Sequence, residues 1–380
     1  MCSPIGASPR GRWTRVSLLL VACGLVLAAS PFQKKNKKEE QTQTLQLPKD
    51  LPNAVAGDTR RLSFYVTPLS ARGLLSQQVR DALRSLAHQA STDTVLKIRA
   101  FVAGSGDLRR VRDLVSEVFA DRHQPLPVLS LVHSGGLPLE GAQVVLEAIA
   151  ASRREVNPYG LAFVSAQMAT SDDPLDPVEP LARKAIDSLR RAVDAAGVEP
   201  SGVLRVTCFF SSLEGVAAAR KLVEAEYPRA SLDYLQTQRA PLGAMAACEA
   251  VARLRADPGA PVRMLNPEGL PREPGQSQIA LVGAPHLVLT GSQVSFGYQD
   301  QDARLAFERL QKALEQAGTS AHEVAFAHYY PLSMKIADQV RRLRAPFFDP
   351  AQPPAATLLL FEGLPSMDAG FAVDAVAVKK

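Results

Sequence analysis

The stretch QVVLEAIA, residues 143–150, is apolar at every position except Gln143 and Glu147. It reads as a buried strand with an acid in its middle. Its ending, LEAIA at 146–150, returns as CEAVA at 248–252 and as VDAVA at 373–377, so Glu147, Glu249 and Asp374 hold the same place in three similar strands. A carboxylate inside an apolar run is costly unless it is paired, hydrated or put to use. The repeat therefore bears on two questions together: how often one structural unit occurs, and what its acid does.

Outward from the acids, one order of elements is legible three times. A first amphipathic helix is predicted in LLSQQVRDALRSLAHQA (74–90), EPLARKAIDSLRRAVDAAG (179–197) and DQDARLAFERLQKALEQAG (300–318). In the second, Leu181, Ala185, Leu189 and Val193 recur every four residues with charged residues opposite, which makes one apolar stripe. Gly197 and Gly318 stop the second and third of these helices. An alternating strand follows in TVLKIRAFV (94–102), GVLRVTCFF (202–210) and EVAFAHYYP (323–331). Leu96, Ile98, Ala100 and Val102 alternate there with Lys97, Arg99 and Phe101, a half-buried pattern of period two. A second helix is predicted in DLRRVRDLVSEVFA (107–120), LEGVAAARKLVEAEY (213–227) and MKIADQVRRLRAPFF (334–348), and two strands close each unit. A hairpin is expected ahead of each first helix, in RRLSFYVTPL (60–69), YGLAFVSAQM (159–168) and PHLVLTGSQVSFG (285–297). The expected class is α+β, with three units that each lay two helices on one face of a mixed sheet. Their bare sheet faces then pack on one another as an intramolecular pseudo-trimer.

At 380 residues and 46% hydrophobic composition the chain suits two to three folded domains. The expected division is a signal peptide or membrane anchor at 1–30, a disordered tether at 31–59, units at 60–152, 153–254 and 279–380, and a Pro/Gly-rich linker at 255–278. RGRWTRVSLLLVACGLVLAAS has the basic lead, apolar run and small residues of an export signal. The apolar run, Val16 to Ala29, is short of the about 20 residues of a bilayer span, so a cleaved signal ranks above an uncleaved anchor. Leu20-Val21-Ala22-Cys23 resembles a bacterial lipobox, and a lipid-modified Cys23 ranks third. Each alternative puts the body outside the cytoplasm, periplasmic or secreted, with membrane contact through the N-terminus alone. The formal charge of +5 includes Arg10, Arg12 and Arg15 in the acid-free first 30 residues, leaving +2 (5 − 3) for the remainder. A nucleic-acid groove is therefore not expected. Past the signal, Cys208 and Cys248 are no disulfide framework. Cys208 reads first as a buried thiol, in phase with Leu204, Val206 and Phe210, with a bridge to Cys248 as the alternative.

The third unit carries VLTGSQVSFG, LQKALEQAGTSAHEV, PAATLLLFEGLP and VDAVA, the second FVSAQM, LRRAVDAAGVEPSGV and CEAVA, and the first GGLPLEGAQVVLEAIA. In this the chain resembles the Rid (YjgF, L-PSP endoribonuclease-like) family of enamine and imine deaminases over roughly residues 60–378. The resemblance implies a chorismate-mutase-like fold and a site in each cleft between neighbouring units. It also implies an arginine after a P-A pair that holds the substrate carboxylate, and a glutamate of E-A-I-A that manages the hydrolytic water. A guanidinium fork suits a carboxylate, and a carboxylate beside a protonated imine can orient or deprotonate water. On this basis Glu249, Glu147 and Asp374 are the candidate water-managing acids, while Thr290 and Gly291 are candidates for substrate contact.

The arginine is missing. Its position falls on Leu129, Ala230 and Ala356, and the nearest replacements are Arg229 and Arg239. Without that anchor each acid has a second reading, as an inherited residue that neutralises a neighbour or bonds backbone. Gly291 equally suits a plain turn. HEVAFAH, 322–328, has its second histidine six residues from the first and sits in a strand pattern, so packing is preferred to a metal. GSGDLRR at 104–110 lacks a P-loop lysine followed by serine or threonine, and Asp107 reads as a helix cap. No G-x-S-x-G occurs.

The leading expectation is an exported, catalytically degenerate tandem protein, a pseudoenzyme of bacterial type that acts as a monomeric chain. It binds a small metabolite or a protein partner between units, with no cofactor and no metal. The alternative is an active imine deaminase using Glu249 with Arg229 or Arg239; a ribonuclease is disfavoured by the small positive charge.

Overall fold

The computed structural model describes residues 48–379 apart from Ser105 and Arg272. The expected signal or anchor, Cys23 and most of the tether lie outside the described residues. The first stretch gives β1 (Ala54–Asp58), β2 (Leu62–Val66), α1 (Leu75–Ala90), β3 (Thr94–Ala103), α2 (Leu108–Asp121), β4 (Val128–Ser134) and β5 (Val144–Ala151). Next come β6 (Leu161–Ser171), α3 (Val178–Ala195), β7 (Val203–Phe210), α4 (Val216–Glu226), β8 (Ser231–Gln236) and β9 (Ala244–Arg253). The last stretch holds β10 (Val262–Leu265), β11 (Ile279–Val282), β12 (His286–Thr290), β13 (Gln293–Phe296), α5 (Asp300–Gln316), β14 (Val324–Pro331), α6 (Met334–Leu343), β15 (Ala355–Leu358) and β16 (Ala369–Lys379).

The class is α+β, as expected, with mixed sheets. Among the described residues the strands form three sheets, ordered β2-β5-β3-β4, β10-β11-β6-β9-β7-β8 and β1-β12-β16-β14-β15, with β13 also on β16. In each, the acid-bearing strand (β5, β9 or β16) runs antiparallel to the middle strand, which in turn pairs in parallel with the next one. The predicted helices form where their apolar stripes find a sheet. Gly197 and Gly318 follow α3 and α5 at φ +69° and +82°, the left-handed conformation expected of a glycine stop. Asp107 caps α2 by accepting from the Arg109 amide at 2.9 Å.

Each sheet packs its helices on one face. Leu83, Leu86, Val111 and Leu114 sit against Ile98, Ala100 and Leu146, and corresponding cores form around Leu189 and Phe307. The opposite faces are buried as well. Phe64, Ile149, Phe163, Val251, Phe326 and Val376 form one apolar cluster drawn from all three sheets. Phe101, Phe209, Tyr330 and Phe361 head a second.

Several expectations need correction. The strand pattern at 94–102 is not half-buried: Lys97 and Arg99 are 3% and 2% exposed, because the face read as solvent-directed meets the other sheets. No hairpin forms ahead of the first helices. β2 and β6 are single strands, while β12 and β13 are two lengths of one path along β16, interrupted at Gly291-Ser292. The end of the segment read as a tether is ordered, since Ala54–Asp58 pairs with β12 and completes its edge. The Pro/Gly-rich linker contains β10, and β11, assigned from sequence to the third unit, pairs with β6 instead. Open edges recruit backbone whatever the side-chain pattern.

Cys208 is not a free thiol. It lies directly opposite Cys248 across β7 and β9, and the two form a disulfide. With the half-cystines 40 positions apart in sequence, loop closure in the unfolded chain is worth roughly 2–4 kcal/mol. A Cys208→Ala/Cys248→Ala variant is expected to lose about that much stability by urea denaturation. Unreduced protein should show no free thiol at these positions by alkylation and mass spectrometry.

Candidate functional site

Strand register carries the three acids to one place. Arg99 on β3 stands opposite Glu147 on one side and Ser130 on the other. Thr207 stands between Glu249 and Asp233, and His328 between Asp374 and Thr357. Residues level across a sheet point to the same face, so each sheet presents a row of three polar side chains toward the other two.

The rows interlock. Arg99 donates through Nε to Glu147 Oε2 at 2.7 Å and through Nη2 to Glu249 Oε1 at 2.6 Å. Thr207 donates to Glu147 Oε1 at 2.5 Å. Asp374 accepts from Lys97 Nζ at 2.6 Å, from Ser130 at 2.7 Å and from the Tyr330 hydroxyl at 2.8 Å. His328 lies between acids from two sheets, with Nδ1 3.1 Å from Asp374 and Nε2 3.1 Å from Glu249. Arg205 approaches Glu147 and Glu249 at 3.4 and 3.6 Å. The three acids are at most 1% exposed. Above the belt Phe101, Phe209, Phe361 and Tyr330 pack ring to ring, and the Arg99 guanidinium lies 5.0 Å from the centre of Phe101.

The electrostatics follow from burial and partners. Burial would raise the Glu249 carboxyl, but Arg99, His328 and Arg205 outweigh it and hold it well below its ordinary range. Asp374 is held well down in the same way, burial being outweighed by Lys97 and His328. Glu147 is lowered by Arg205 and Arg99 against burial and the neighbouring Glu249. Asp233 goes the other way: burial, then Glu147, raise it well above its ordinary value. Burial lowers Lys97, with Asp374 opposing.

The candidate substrate contacts are elsewhere. Arg229 is exposed in the turn after α4. The Arg239 guanidinium reaches the carbonyls of Gly135 and Gly104 at 3.3 and 3.2 Å, and its amide donates to Glu362. Thr290 serves backbone next to Asp374, accepting from the Ala375 amide at 2.8 Å, as Thr67 does for Leu146 next to Glu147. Gly291 is a point of close approach, since a Cβ there would stand 2.9 Å from the Leu129 carbonyl. Leu129 and Ala356, at the arginine position, pack toward the helix-side cores. His322 is exposed in a short 3-10 turn and does not share the buried face of His328.

Sequence reading missed Lys97, Arg99, Arg205, Thr207, Asp233, His328 and Tyr330. A signal was present: three acids in apolar strands demand buried donors, and the middle strands carry them at matching positions.

Two solvent-reaching clefts lie between sheets, and the chain's own segments line both. One, of 420 Å³, is bounded by Leu129, Leu131 and Gly291, with Arg112 on its rim held at 3.0 Å by Asp50. The other, of 520 Å³, adjoins Ser165 and Ala166, and its Arg341 is held at 2.7 Å by Glu273 and at 2.9 Å by Asp338. Beside it an apolar pocket of 220 Å³ is lined by Met168, Leu242, Met245, Met334 and Leu358.

No family model matches this sequence, and no curated protein does. Solved structures do. A Rid-family protein of unknown function from Yersinia pestis is 17% identical, with 31% of this chain covering 99% of that one at a TM-score of 0.30. Rv2704 from Mycobacterium tuberculosis, of the YjgF/YER057c/UK114 family, is 22% identical over 31% of this chain and 98% of its own, with a TM-score of 0.22. E. coli TdcF with bound serine is 20% identical over 26% and 83%, also at 0.22. Likenesses at these scores carry no weight for this chain's activity.

Truncating Arg99 to Met would strand two buried carboxylates and is expected to cost about 3–5 kcal/mol in urea unfolding. Asp233→Asn, which removes a carboxyl whose ionised form burial already disfavours, should change stability by less than about 1 kcal/mol, far less than the Arg99 variant. The lowered carboxyls set the sign with pH. Their contribution is complete above the unfolded carboxylate range, about pH 4, and is lost as pH falls through the folded values. Urea midpoints measured from pH 7 to pH 2 should fall on the acid side, and the fall should be shallower in Asp374→Asn.

Proposed function

We propose that this chain is an exported, catalytically silent tandem Rid-like protein, in which three units form an intramolecular pseudo-trimer that holds a small molecule between units. One observation carries the reading: the acids that would manage a hydrolytic water are sealed in ion pairs with Arg99 and Lys97 and in contact with His328. The space adjoining Glu147, Arg99 and His328 is 20 Å³, room for about one water and not for an imino acid. Neither Arg229 nor Arg239 reaches an acid of the belt, which removes the support for a working deaminase cleft.

Binding falls to the apolar pocket between β6 and α6. Its 220 Å³ suits a molecule of one or two rings. Arg341 at its end is already neutralised by Glu273 and Asp338, so an anion gains little there. The ligand class is a neutral, largely apolar small molecule, with Leu242 and Met334 at the mouth, 75% and 43% exposed.

Purified protein should not accelerate hydrolysis of 2-iminopropanoate generated in situ, and Glu249→Gln should leave that null rate unchanged. A tenfold acceleration abolished by Glu249→Gln would overturn the silent-enzyme reading. For the pocket, indole is the probe: calorimetry should give a Kd below 1 mM (~4 kcal/mol or more of binding). Met334→Trp across the mouth should remove binding without lowering the melting temperature. Absence of indole binding in the unmodified protein would sink the pocket assignment alone.

A further inference from the structure

The 20 Å³ cavity within the belt has a lining unlike that of a water site. Lys97, Arg99, Arg205 and His328 supply four nitrogen-bearing side chains, Glu147 the one carboxylate, and Ile149, Phe163, Val251, Phe326 and Val376 hydrocarbon. Two N–H groups in this lining are buried with no hydrogen-bond partner, Arg99 Nη1 and Arg205 Nε, on side chains 3% and 6% exposed. An unsatisfied guanidinium donor sealed from solvent is costly.

A water would satisfy the two donors but must also place its own hydrogens. Glu147, the one carboxylate of the lining, already accepts from Thr207 on Oε1 and from Arg99 on Oε2, so a water there would meet more donors than acceptors. A monatomic anion needs donors alone. N–H-bearing side chains outnumber carboxylates in the lining, with Lys97, Arg99 and Arg205 set against Glu147 alone. The volume excludes carboxylates and phosphates, and the lining repels cations.

We infer that this cavity binds one halide ion, chloride in physiological media, held between Arg99 Nη1 and Arg205 Nε at the junction of the three sheets. The ion is a structural ligand of the belt and is independent of the apolar pocket. It binds the folded chain and not the unfolded one, so it raises stability with its concentration.

The test uses the full folded chain. Crystals grown with 100 mM sodium bromide in place of chloride should show an anomalous bromine peak within hydrogen-bond reach of both orphan N–H groups. In solution the melting temperature should be higher in sodium chloride than in sodium gluconate at the same ionic strength. Arg205→Lys, which keeps the charge and loses Nε, should weaken the chloride dependence at least fivefold; if that variant fails to fold, the two measurements on the unmodified chain decide. A cavity with no anomalous signal, or melting temperatures that match in chloride and gluconate, overturns the proposal.

Discussion

Three carboxylates buried in the middles of three strands can be tolerated when cations are buried with them, and this requirement organises the whole chain. Glu147, Glu249 and Asp374 do not find their donors within their own sheets alone. Lys97 of one sheet bonds Asp374 of another, Arg99 bridges to Glu249, and His328 links Glu249 to Asp374. The contacts span 277, 150 and 79 residues of sequence. Packing of the bare sheet faces and pairing of the charges are therefore one event: until the sheets meet, each acid lacks part of its partner set.

Such a belt is a weak source of net stability, because desolvation offsets most of the attraction, and apolar residues of equal volume often do as well. Its stronger effect is on alternatives. A one-residue slip of β3 against β5 would turn Arg99 toward the helices and leave Glu147 facing a methyl wall. The same holds for Thr207 and His328 in their sheets. Apolar clusters above and below, headed by Phe101 and by Phe326, tolerate small shifts; the charged row between them does not. The raised Asp233 fits this account, since burial and the neighbouring Glu147 outweigh the pull of Arg99 there.

Much of this was legible in the sequence, and the failures share a cause. Helices α3 and α5, their glycine stops and the three equivalent acids follow from local pattern. Lys97 and Arg99 were misread because period-two alternation shows that a strand has two unlike faces, not that either meets water. What covers a face is decided by strands hundreds of residues away. The disulfide was within reach of inference: once Thr207 is set opposite Glu249 in an antiparallel pair, the next pair along is Cys208 and Cys248. β1 gave no comparable clue, because Ala54–Asp58 has little alternation and is fixed by backbone bonds to the free edge of β12.

The placement of cations also bears on what the buried acids can do chemically. A guanidinium at the position of Leu129 or Ala356 would lie on the face of β4 or β15 opposite Ser130 or Thr357, away from the belt. Arg99 lies on the belt face, directly beside Glu147, and bonds two acids at once. A carboxylate committed to an adjacent, desolvated guanidinium is held ionised far below neutral pH, which makes it a poor base toward water. The acids then have a structural role that needs no catalysis, since replacing one would leave Arg99 or Lys97 short of a buried partner. The belt is thus interdependent as a set, with charge balance at the junction of the sheets as its constraint.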